Sequence, residues 1–106
     1  MKPGLFAILW RYQVADEHRD QFERAYAPAG DWARLFGTAD GYIRTDLMAA
    51  DGGQYVTIDY WRSEEDFHAF QAQSGAEYMA LDERCGAWTL SEERIGEFTM
   101  VEEETG

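Results

Sequence analysis

The 106-residue sequence predicts an α+β fold: a ferredoxin-like βαββαβ sandwich with helices over one face of a four-stranded antiparallel sheet. Three observations predict it. Apolar and β-branched runs of strand length recur along the chain, with helical stripes after the first and the third. The dipeptide Gly52-Gly53 after Asp51 joins the second and third runs as a hairpin. The first and third runs are apolar or aromatic on both alternating sets, as expected of central strands covered on both faces.

Each element has its own justification. Residues 5–14 (LFAILWRYQV) form the first strand, with Leu5, Ala7 and Leu9 on one side and Phe6, Ile8, Trp10 and Tyr12 on the other. Asp16 is a helix N-cap, and Phe22, Ala25, Tyr26 and Ala29 share one stripe behind it. Pro28 and Gly30 interrupt the helix, and it restarts at Asp31 as a cap, with Trp32, Leu35 and Phe36 as contacts. Residues 41–50 alternate Tyr42, Arg44, Asp46 and Met48 against Ile43, Thr45 and Leu47, a strand with one polar face. The third strand, residues 54–62, points Tyr55, Thr57, Asp59 and Trp61 one way and Val56, Ile58, Tyr60 and Arg62 the other. Ser63 with Asp66 is a capping-box signal for a helix carrying Phe67 and Phe70. Ser74 with Glu77 repeats it for a helix with Tyr78, Leu81 and Cys85 inward and Gly86 as its stop. Residues 87–94 read as a strand turn or a short helix at Ser91, before a last short strand, IGEFTMV. The acidic end, 102–106, is expected to fray.

Length fits a single domain over 1–106. With 9 basic against 21 acidic residues, the net charge is −12. Such a chain repels phosphate and anionic lipid, so nucleic acid and membrane are excluded as partners, and a neutral or cationic ligand suits it better. One cysteine, Cys85, allows no intrachain disulfide and reads as a small buried hydrophobe. With no signal-peptide pattern and no span-length apolar run, the expected location is the cytoplasm.

The topology leaves one sheet face without a cover from this chain, and a second copy packing sheet to sheet, a homodimer, is the economical solution. No metal is expected, because His18 and His68 lie on separate predicted helices without a ligand-spaced partner. No cofactor motif is present either. The chemistry-bearing residues are therefore the polar minority of the strands. Asp59 is the candidate base, with Arg11 or Arg44 as its charge partner. Trp61, Tyr42, Tyr60, Trp10 and Phe67 are candidate ligand walls, and His68 a candidate at the pocket mouth. The competing reading, which the residue types alone favour, makes Asp59 half of a structural ion pair with Arg11 or Arg44 and the aromatics packing.

The stretch YVTIDYWRSEEDFHAF, a strand ending in Trp before a Ser-capped helix, resembles the signature of the antibiotic biosynthesis monooxygenase family within the dimeric α/β barrel superfamily. FERAYAPAGDWARLFGTADGYIRTDL is similar to an uncharacterised bacterial branch of that family. The resemblance covers nearly the whole chain. It implies cofactor-independent oxidation of a phenolic or quinol-type aromatic in a pocket between sheet and helices, with Trp61 matching the strand-end Trp. The haem-degrading branch uses a His on the second helical region, and AEYMALDERCG has none. A non-catalytic small-molecule-binding or stress-associated protein and a polyketide cyclase remain alternatives on the same fold.

Overall fold

The structure, a computed structural model, describes residues 4–101. The end expected to fray, 102–106, lies outside the described residues. The order is β1 (Phe6–Val14), a 3₁₀ turn (Asp16–His18), α1 (Arg19–Tyr26), α2 (Asp31–Phe36), β2 (Tyr42–Ala50), β3 (Gln54–Trp61), α3 (Glu64–Gln73), α4 (Gly75–Gly86) and β4 (Thr89–Thr99). The strands lie in the order β2-β3-β1-β4, every neighbouring pair antiparallel. This is the ferredoxin-like arrangement, with β1 and β3 in the centre and all four helices on one face.

The helices stop and start where local chemistry dictates, with some differences from expectation. Asp16 does not cap α1: it opens the 3₁₀ turn, and its carboxylate pairs with Arg19 at 2.6 Å. Pro28 and Gly30 separate α1 from α2, and Gly30, not Asp31, occupies the N-cap position. Asp31 is spent on Arg34 and Arg84, which ties α2 to α4. Ser63 does cap α3, accepting from the Asp66 amide at 3.2 Å. Ser74 makes no such bond. Gly41 turns the chain into β2 at φ +95, where a Cβ would strike the Asp66 carboxylate.

The largest difference is β4. Instead of a turn and a short strand, residues 89–99 form one strand of 11 residues along β1. Nearly all of it is exposed, and its acids hide the alternation that would have marked it. Register shifts between Leu9 and Trp10 and between Gln13 and Val14 show it is bulged, a common condition of edge strands.

The core lies between sheet and helices. Trp61, Phe22, Phe70, Val14 and Cys85 are its most enclosed side chains. Trp61 is ringed by Phe36, Tyr42, Phe67 and Phe70, with centroids 5.4–5.6 Å away and mostly edge-on. On the opposite sheet face no helix of the described residues packs. Met48 and Phe98 there are about half exposed, at 48% and 49%. Tyr60 also lies on this face, paired across the sheet with Ala7, and the Arg44 guanidinium covers its ring at 4.4 Å.

Candidate functional site

β3 is a central strand, and Asp59 stands at its middle, opposite Ile8 of β1 and Thr45 of β2. Its parity sends it toward the helices with Tyr55, Thr57 and Trp61, all buried. A cavity opens over it between sheet and helices. Trp10, Tyr12, Thr57 and Asp59 form its floor. Tyr26, Trp32, Phe36 and Tyr78 form its roof. Its two remaining acids, Asp82 of α4 and Glu92 of β4, are exposed and mark the mouth. A second recess shares Trp10, Phe36, Asp59 and Tyr78 and ends at Phe67 and Arg94.

The volumes are small, ≈ 30 Å³ for the first and ≈ 40 Å³ for the second. Each holds roughly two or three waters, so an aromatic guest enters only as the walls part.

The Asp59 carboxylate is 9% exposed and forms no salt bridge among the described residues. Its Oδ1 accepts from Thr45 Oγ1 at 2.7 Å. Tyr42 OH lies 2.8 Å from the same Oγ1. Since Thr45 has one hydroxyl hydrogen and gives it to Asp59, the Tyr42 hydroxyl is the donor in that second bond. Burial pushes the Asp59 carboxyl up to about 6, and the Thr45 hydrogen bond only partly opposes it. Tyr78 is also raised by burial, to about 12, so it meets the cavity as a neutral phenol at ordinary pH.

The arginines expected beside Asp59 are elsewhere. Arg11 points from the opposite face of β1 and pairs with Glu93 at 3.7 Å. Arg44 pairs with Asp46 at 3.3 Å and stacks on Tyr60, again across the sheet. The cause in β2 is a bulge. Ile43 and Arg44 together face Tyr60, so Tyr42 and Thr45 both turn to the helices, which strict alternation forbids. The structural ion pair expected for Asp59 therefore does not form.

Of the expected walls, Trp10 lines both recesses and Phe67 the second. Tyr42 reaches Asp59 only through Thr45. Trp61 is 0% exposed and belongs to the packed core beneath, not to the cavity lining. Tyr60 is excluded by its sheet face, and His68 is exposed, bonded to Gln71 on its own helix. Sequence reasoning missed Thr45, Glu92 and Arg94. Thr45 was hidden by the bulge, and the other two by the unrecognised first half of β4, residues 89–94. Arg94 is the cation at the recess, 5.9 Å from the Trp10 ring, but it is already paired with Glu97. Trp32 Nε1, buried in the roof, has no hydrogen-bond acceptor among the described residues. No group of three metal-ligating side chains occurs among the described residues. Cys85 is buried under the roof, and burial pushes its thiol up.

A family model described as antibiotic biosynthesis monooxygenase matches residues 5–78, well over half of the chain. No curated protein matches the sequence. Among solved structures, the chain is similar to SnoaB, a cofactor-independent oxygenase from Streptomyces nogalater. The likeness has 23% identity and a TM-score of 0.65, over 97% of this chain and 99% of that one. A point variant of SnoaB superposes with a TM-score of 0.70 at 21% identity, over 96% of this chain and 98% of that one. Rv0793 from Mycobacterium tuberculosis is 17% identical, with a TM-score of 0.65, over 97% of this chain and the whole of that one. At these identities the structures establish a shared fold.

Proposed function

The chain belongs to the antibiotic biosynthesis monooxygenase family, and from that premise we propose that it is a cofactor-independent monooxygenase of an aromatic, phenolic or quinol-type small molecule. The observation that carries the reading is Asp59: a carboxylate in an aromatic cavity, with no cation beside it among the described residues and a carboxyl that burial pushes up to about 6. A buried acid kept for structure is paired; this one is held by a single hydroxyl.

In the proposed reaction Asp59 takes a proton from the activated carbon of a bound anthrone-type substrate. The charge moves from Asp59 to the substrate rather than being added to the cavity. The substrate anion reduces dioxygen and the fragments combine as a peroxide, which Asp59 reprotonates. Loss of water then leaves a carbonyl, so that one CH₂ and one O₂ give one C=O and one H₂O. Trp10, Phe36 and Tyr78 sandwich the ring system and keep water from the anion. The bare sheet face, with Met48 and Phe98 half exposed, is the surface on which a second copy packs to make a homodimer.

The test is oxygen uptake with anthrone by chelator-treated protein. Uptake is expected, and Asp59→Asn should lower it on the order of 10²–10⁴-fold, the range of a lost general base. No uptake across a panel of anthrones and hydroquinones overturns the proposal. Conversion without uptake identifies a cyclase using the same base.

A further inference from the structure

Every cavity wall but two is aromatic, hydroxyl-bearing or the buried Asp59; the exceptions are Asp82 and Glu92, and they are the exposed members of the lining. They reach the mouth from opposite sides, Asp82 from α4 and Glu92 from β4. Glu92 is raised above the ordinary glutamate range, first by its partial burial at the cavity rim and then by the charge of Asp82. Arg94, the cation of the adjoining recess, is compensated by Glu97. Asp59, nine-tenths buried and without a cation among the described residues, lies inside. A ligand entering the cavity thus passes two carboxylates and arrives at a third, on a chain of net charge −12.

We infer that the mouth is a charge filter set by Asp82 and Glu92, and that the substrate is an aromatic without a free carboxylate: an uncharged ring system or one bearing an ammonium group. This rests on the reading that the Asp59 cavity is the substrate site, and it narrows the substrate class that reading leaves open. An acidic aromatic would be repelled at the mouth and again by ionised Asp59, whereas its ester presents the same ring surface without the penalty.

Three probes of one shape decide it: 9-anthracenecarboxylate, its methyl ester and 9-(aminomethyl)anthracene, with binding followed by anthracene fluorescence anisotropy at pH 7.5. The ester and the amine are expected to bind on the order of tenfold more tightly than the acid at low salt, with the gap closing as salt screens the mouth. The Asp82→Asn, Glu92→Gln double variant should admit the acid several-fold better while leaving the ester within about twofold. These side chains are exposed, so the variant is expected to keep the fold. Equal or tighter binding of the acid overturns the inference, as does a preference for the ester that neither salt nor the double variant reduces. Failure of all three to bind overturns the site itself. Charge discrimination without any oxygen uptake sustains the filter and overturns the oxygenase reading.

Discussion

Holding Asp59 where it is costs the fold free energy. Its carboxyl is raised from 3.8 to about 6, so the native state binds that proton more tightly than the unfolded chain. Stability from this group is complete below about pH 4 and is lost as pH rises through 6, by about 3 kcal/mol. Asp59→Asn removes the penalty and keeps an acceptor for Thr45. The variant should therefore be more stable than the parent by about 2–3 kcal/mol at pH 8 and indistinguishable near pH 4, measured by urea unfolding. Destabilisation at both pH values would reveal a structural role. Thr45→Val deletes the one bond that lowers the Asp59 pKa. In the oxygen-uptake assay its acidic limb should move to higher pH, and Thr45→Ser should return it. The presence of an acid on this strand was legible in YVTIDYW; its lack of a partner was not, since arginines on the two neighbouring strands have a long reach and only the register says on which face they lie.

Among the elements, α4 is the wall best placed to move. Of its 12 residues only Cys85 is buried, while Tyr78 and Leu81 are half-buried and Met79 is 71% exposed. An aromatic ligand does not fit ≈ 30 Å³ unless a wall shifts, and the least anchored element yields first. Binding of the anthracene ester should slow amide exchange along α4 more than along α3, whose Phe67 and Phe70 are buried. Equal protection of both would contradict this. β1, β3, the hairpin and α3 were legible because their alternation, turn glycines and Ser63 cap are all local signals. The bulge at Ile43 and Arg44 was not, because it changes parity without changing composition. The first half of β4, residues 89–94, was not either: an edge strand solvated on most positions carries no apolar period.

At the scale of the whole molecule, the helices cover one sheet face and leave the other to Leu9, Val56, Ile58, Met48 and Phe98 beside charged neighbours. The expectation that the first and third strands have two covered faces comes from LFAILWRYQV and YVTIDYW alone. The proposed homodimer supplies the second cover, and Ile58→Glu, at the middle of that face and away from the cavity, should convert it to a monomer by light scattering. A parent protein that is monomeric at tens of micromolar would contradict it. No helix among the described residues is long and apolar enough to cross a membrane. The charge of −12 and the acidic mouth act together, since the far field of the molecule has the same sign as its entrance.

To act as the base, Asp59 must lose its proton inside the cavity at the pH of the reaction. Its carboxyl carbon, followed by NMR in ¹³C-aspartate-labelled protein and assigned by its loss in Asp59→Asn, should titrate with a midpoint of about 6. A midpoint at or below 4 would mean that the carboxylate is solvated or paired, and would contradict the assignment of Asp59 as the base.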